Sequence, residues 1–176
     1  MHGIIHSELK EYVETKHGSD AWNAILVEAG LEHKMYLPIS AYPDEEASAI
    51  VGAASKLTKT PAEEILEDFG NFIAPKLIVM YQSLIEPKWK TMELLLNTEE
   101  TIHRVVRLKN ADANPPQLQF EKTGAKELKF NYDSPRRMSA VAKGIKKGVA
   151  QHYDETVEIQ EKKLADGARE MIIDIE

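Results

Sequence analysis

The chain contains no cysteine, which excludes disulfides, thiolate metal sites and thiol redox chemistry. Cationic residues are also short: 22 Lys and Arg face 29 Asp and Glu, for a formal net charge of −7. That balance argues against a general nucleic-acid or anionic-membrane binder. No apolar run approaches the roughly 20 residues of a transmembrane helix, and the first residues lack the shape of a signal peptide. The cytoplasm is therefore the default location. The common catalytic motifs are missing too: no glycine-rich phosphate loop, dinucleotide fingerprint, nucleophile elbow or paired zinc-binding His motif. The acidic residues are scattered along helix faces and read as solvation. Nothing points to an enzyme.

What remains is an ordinary globular composition, 43% hydrophobic and 29% charged over 176 residues, enough for one domain with a sizeable core. Ile5, Leu9 and Tyr12, with Ile4 and Val13 beside them, have helical spacing over residues 2 to 17. Ser19 can cap a second helix that stops at Gly30, and Asp44 opens a third. Thr60-Pro61-Ala62-Glu63 is a capping box with proline at the first helical position. Pro75 is expected to bend or restart the helix behind it. Pro87 begins another helical stretch, and Asn97 or Thr98 can cap again before Thr101-Ile102-His103-Arg104-Val105-Val106. After residue 110 the period changes. Gln117 to Phe120 and Leu128 to Tyr132 alternate around a turn containing Gly124, which reads as a hairpin. A helix follows to about His152, and strands return at Val157 and Ile159 and at Met171, Ile173 and Ile175. The fold class is α+β: a helical N-terminal part, then an antiparallel meander of about four strands interrupted by one helix.

Two places stand out. Tyr132-Asp133-Ser134-Pro135-Arg136 is a strand-to-helix corner in which Ser134 suits the N-cap and Pro135 the first helical position. Arg136 and Arg137 would then lie in the first turn, where the helix dipole disfavours cations. An anion held by backbone N–H groups, the Ser134 hydroxyl, the Tyr132 phenol and an Arg fork would relieve this. A capped surface helix with solvated arginines accounts for the same residues. His103 is at the edge of an apolar helix face. It is either a satisfied histidine or the single protein ligand of a metal completed by a cofactor such as haem. The other histidines read as solvated or terminal, His2 and His6 being at most half a metal site.

Together, His103 on a helix and the Tyr132/Ser134/Arg136 corner downstream of it resemble the H-NOX family, the haem-nitric oxide/oxygen binding domains related to the haem domain of soluble guanylate cyclase. The opening Met1-His2-Gly3-Ile4-Ile5, the Val51-Gly52-Ala53-Ala54-Ser55 helix and Phe69-Gly70 extend the resemblance over the whole chain. It implies a single H-NOX-like domain, with a helical distal part over about residues 1–65 and a proximal part with the sheet over about 66–176. A b-type haem would lie between them. His103 would be the proximal iron ligand, and Tyr132, Ser134 and Arg136 would hold the propionates. Ile5 and Pro116 match positions that press on the porphyrin, and Gly70 and Gly144 match glycines near which the parts hinge. Some members carry a zinc site built from cysteines; none is expected here. A haem-free anion-binding interaction module is the alternative.

The resemblance also implies a function. It would be a haem-based sensor binding nitric oxide and carbon monoxide, signalling by release of the proximal histidine and rotation of the parts. With no output domain expected in a chain of this length, the partner would be a separate histidine kinase or cyclic-di-GMP enzyme. Oxygen-binding members place a tyrosine in the helix after the corner, supported by polar residues on two N-terminal helices. Those positions fall at Val141, Leu9 and Ile73, all apolar. One missing charge-assisted hydrogen bond of about 1.5–3 kcal/mol lowers oxygen affinity by roughly 10- to 150-fold. The ferrous protein is expected to stay five-coordinate in air while binding nitric oxide and carbon monoxide; a stable oxy spectrum under air refutes this.

Overall fold

Two glycines in the left-handed region, Gly18 (φ 85°) and Gly30 (φ 69°), separate the first helices. The computed structural model describes residues 3–109, 115–134, 136, 138–164 and 168–176. The chain divides into two compact units, Met1–Phe69 and Gly70–Glu176. Its helices are α1 (Gly3–His17), α2 (Ser19–Glu28), α3 (Asp44–Thr58), α4 (Ala62–Tyr81), α5 (Thr91–Thr98), α6 (Arg104–Lys109) and α7 (Ser139–His152). Its strands are β1 (Gln117–Lys122), β2 (Glu127–Asp133), β3 (Val157–Lys163) and β4 (Arg169–Ile175). Among the described residues no helix is long and apolar enough to cross a membrane.

In the first unit α1 buries Leu9, Tyr12 and Val13, α2 buries Trp22, Ile25 and Leu26, and α3 buries Ile50, Val51 and Ala54. Ser19 is the first residue of α2 and Gly18 holds the N-cap position, so the expected serine cap is displaced by one residue. Asp44, Glu45 and Glu46 fill the first turn of α3, where the dipole favours them. His6 is wholly buried, its ring stacked on Tyr36 at 4.4 Å. Tyr36 in turn donates to Glu46 Oε2 at 2.9 Å, and Lys34 donates to the other carboxylate oxygen at 2.7 Å. His2 lies outside the described residues.

In the second unit the sheet order is β1-β2-β4-β3, all neighbours antiparallel. This corrects the expected meander. α7 carries the chain past β2 to the far edge, and β4 returns to the middle. The burial pattern explains the order. Met171 and Ile173 of β4 are fully buried, whereas β3 ends in the exposed run Gln160 to Lys163, suited to an edge. Leu128, Phe130, Tyr132, Met171, Ile173 and Ile175 form one core with Met92 and Leu95 of α5.

Pro75 does not restart the helix: α4 runs through it to Tyr81. The proline removes the N–H that would have bonded the Asn71 carbonyl. α7 covers that carbonyl. A Cβ on Gly148 would come within 2.7 Å of Asn71 O and 2.6 Å of Ala74 Cβ, and one on Gly70 within 2.3 Å of Val141 O. α4 and α7 therefore cross backbone to backbone, and Gly70 and Gly148 make that approach possible.

α7 also buries a lysine. Lys146 is 3% exposed; its Nζ lies 3.6 Å from the Phe130 ring centroid and 5.6 Å from that of Phe120, and donates to Ala142 O at 3.1 Å. Burial pulls its amine down to about 7, while the ring faces favour the charged form and act against that shift. Between about pH 7 and the ordinary lysine range the unfolded chain binds a proton that the folded chain does not. Stability should therefore rise with pH there, by up to about 1.4 kcal/mol per pH unit from this group. Urea unfolding of wild type and Lys146→Met at neutral and alkaline pH should show that slope in the wild type and its loss in the variant.

Candidate functional site

His103 closes a π-helical turn, Glu99–His103, between α5 and α6. The helix does not restart at Asn97 or Thr98 as a new cap would require. Instead, Thr98 and Thr101 donate their hydroxyls to the carbonyls of Leu94 and Asn97, both at 2.6 Å. The Arg104 N–H reaches the Glu99 carbonyl five residues back. Threonine back-bonding of this kind bends helices, and π turns recur where a side chain must be re-aimed.

The His103 ring is held on one side. Its Nδ1 lies 3.1 Å from Glu99 Oε2 and 3.0 Å from the Pro116 carbonyl. Both partners only accept, so Nδ1 carries the hydrogen and Nε2 carries the lone pair. Among the described residues Nε2 has no hydrogen-bond partner, and the side chain is 16% exposed. Burial lowers the imidazole's proton affinity, against the opposing pull of Glu99, so the neutral tautomer is favoured. Glu99 is fixed in turn. Arg107 pairs with its Oε1 and the Leu118 N–H donates to Oε2 at 3.1 Å. Burial pushes the Glu99 carboxyl up, but Arg107, Leu118 and His103 outweigh that and hold it below its ordinary value.

The second cluster follows β2. Tyr132 is 5% exposed. Burial raises its pKa, opposed by hydrogen bonds from Ser134 and the Met138 N–H and by the nearby Arg136 charge. Ser134 does not cap α7, which begins at Ser139 with Met138 at its N-cap. Its Oγ accepts the Arg136 N–H at 3.4 Å, an i to i+2 turn that keeps the chain out of the helix. Arg136 therefore stands before α7, and the conflict with the helix dipole does not arise. Pro135 and Arg137 lie outside the described residues. Hydroxyls, an amide and a guanidinium still converge here, a donor set for an anion.

β1 and β2 tie the two clusters together. Leu118, bound to Glu99, is the register partner of Tyr132, and Pro116 leads into the same strand. The other candidates are apolar. Leu9 and Ile73 are 3% and 1% exposed; Ile5, Pro116 and Val141 are half-buried. Within the first unit Leu9, Val13, Ile50, Ala54 and Ile65 line a cavity of about 340 Å³, with Tyr12 and Asp68 also on its wall. The Tyr12 hydroxyl is committed to Asp68 Oδ2 at 2.7 Å. Among the described residues no three His, Asp or Glu gather as a metal cluster.

Glu99 and Arg107 were not singled out by sequence reasoning. The signal was present, since Glu99 and His103 are four apart on a helical stretch and could meet.

The Haem-NO-binding family model matches residues 2–161, and the chain belongs to that family, a family of haem-based gas sensors. An H-NOX protein from S. oneidensis, solved as a triple mutant in the Fe(II) ligation state, superposes with a TM-score of 0.92 at 22% identity, covering 100% of this chain and 96% of that one. The S. oneidensis protein in the Fe(II)NO ligation state gives 0.91 at 22% identity, covering 100% and 99%. The soluble guanylate cyclase gcy-34 of Caenorhabditis elegans is 24% identical over 155 residues, which is 85% of this chain and 23% of that protein. The chain thus spans about a quarter of the length of the curated relatives it matches.

Proposed function

We propose that this chain senses nitric oxide, and binds carbon monoxide, at a ferrous b-type haem held by His103, while excluding dioxygen. The observation that carries the reading is the His103 ring geometry: Nδ1 lies within hydrogen-bond distance of two acceptors, which assigns it the hydrogen and leaves the Nε2 lone pair for a metal. The second cluster fits the same group. A haem brings an iron that takes a nitrogen ligand and two carboxylates that need donors, and Tyr132, Ser134 and Arg136 would be such donors at the end of the strand pair that also anchors His103. When bound, the haem supplies the ferrous iron at which a diatomic gas is captured.

The chain's own residues would do the rest. His103 supplies the protein ligand, and Tyr132, Ser134 and Arg136 hold the propionates. Ile5 and Pro116 would bear on the porphyrin, and Leu9, Ile73 and Val141, each apolar, would offer bound oxygen no donor. His103 would be the residue released when nitric oxide is sensed, and its π turn would be the segment freed with it. Rotation of the two parts, near Gly70 and Gly144, passes the change to a separate histidine kinase or cyclic-di-GMP enzyme in the cytoplasm. The division into distal and proximal parts near residues 65 and 66 belongs to the same reading, as does the absence of a zinc site. A ligand can shift such an equilibrium only by its differential affinity for the two states.

Protein purified after expression with ample haem should show a Soret band. Its absence would leave the haem-free anion-binding module as the better account. His103→Gly should lose haem unless imidazole is supplied, and an unchanged ferrous spectrum would reassign the ligand.

Arg136→Ala removes one charge-assisted bond worth about 1.5–3 kcal/mol when shielded from water. Haem transfer to an apomyoglobin acceptor should accelerate accordingly, by roughly 10- to 150-fold. An unchanged rate would remove Arg136 from the propionate site.

A further inference from the structure

Three groups meet around the Glu99 carboxylate, and two of them hold it in place for the third, His103. Oε1 takes Arg107. Oε2 takes the Leu118 N–H at 3.1 Å and faces His103 Nδ1 at 3.1 Å. Glu99 and His103 are the first and last residues of the π turn, so the turn itself sets their approach. The Pro116 carbonyl at 3.0 Å also accepts from Nδ1. By itself that carbonyl already fixes the tautomer. The carboxylate therefore adds something the carbonyl does not, a negative charge aimed along the N–H bond of the ring.

We propose that Glu99 is a positioning residue of the proximal side, which draws on the Nδ1–H of His103 and makes Nε2 a stronger donor to the metal. The inference rests on the haem reading above. A carboxylate on the second nitrogen of a ligating imidazole raises ligand basicity. Arg107 tempers it, because its guanidinium shares the same carboxylate and withdraws charge from the bond to His103. Glu99 and Arg107 thus oppose each other in setting how tightly His103 holds iron, and with it how readily nitric oxide detaches the histidine.

The opposition gives a signed test on the ferrous holoprotein, read by the iron–histidine stretching band in resonance Raman. Glu99→Gln keeps the shape and the Pro116 bond but removes the charge. Its band should fall in frequency, the ferric/ferrous midpoint should move positive, and haem should dissociate roughly 10- to 100-fold faster. Arg107→Gln leaves Glu99 in place with its charge unshared, so its band should rise. Opposite shifts in the two variants support the proposal. A merely structural role lowers thermal stability in either variant and leaves the band where it was, which would overturn it. If Glu99→Gln fails to fold, Arg107→Gln alone decides: a rise supports the proposal, and an unchanged or lower band overturns it. A wild-type protein with no Soret band sinks the haem reading and this inference with it. A normal wild-type band with unmoved variants sinks this inference alone.

Discussion

A π turn is out of step with the helix on either side of it and persists only when something outside its own backbone holds it. Here the support is the edge of a sheet. β1 is an edge strand, and Leu118 turns its N–H away from β2 to Glu99 Oε2. An unpaired edge N–H is both a cost and a template for wrong pairing. Glu99 removes that liability, and the same carboxylate receives the His103 ring. Pro116 completes the arrangement. It has no N–H to offer an edge, only a carbonyl, and that carbonyl accepts from Nδ1. Protecting the sheet edge and orienting the histidine are one set of bonds.

The hairpin then fixes the distance between two kinds of chemistry. Leu118 pairs with Tyr132 across the ladder, so the His103 ring, held through Glu99 and Pro116 at β1, and the Tyr132 cluster at the end of β2 share one rigid element. The Phe120–Phe130 pair, stacked at 4.5 Å, lies next along the same ladder, and Lys146 of α7 covers both rings. Sites on strands are held more closely than sites on loops. A cofactor with a metal and two carboxylates at a set separation requires that kind of frame.

The elements whose period matched their burial were legible in the sequence: α1 through Leu9, Tyr12 and Val13, the β1–β2 hairpin, and the alternation of Met171, Ile173 and Ile175. His103 and the Tyr132/Ser134/Arg136 corner of the candidate site stood out in the sequence because together they form a pattern. The local geometry of the site was not legible. Ser134 reads as an N-cap from its neighbours, yet its Oγ bonds Arg136 N–H two residues on, and serine side chains choose between those partners on tertiary context. Pro75 reads as a bend or a restart, yet α4 does not restart there, and Gly148 brings α7 onto the carbonyl it orphans. The meander failed for a similar reason. Alternation says that a strand is half-buried; what places β4 between β2 and β3 is that none of its residues is exposed, whereas β3 ends in an exposed run. Each miss is a case where a distant segment decided between local options of similar energy.

The apolar positions carry the last step. Leu9 and Ile73 are among the most buried residues of the chain, and Ile73 stands on α4 three residues beyond the glycine that meets the Val141 carbonyl. A donor placed at Leu9 or Ile73 has to be desolvated, and an unpaired buried hydroxyl or amide costs about 1–3 kcal/mol. A side chain that recognises polar oxygen therefore needs partners to hold it in the absence of the ligand. Tyr12, the nearest phenol on α1, illustrates the requirement: its hydroxyl is committed to Asp68, which Lys16 also holds. At Leu9 and at Ile73 the chain avoids that cost by burying hydrocarbon. Under the proposed ligand preference, the same choice that stabilises the core removes the hydrogen bond on which dioxygen most depends, so selectivity requires no additional device.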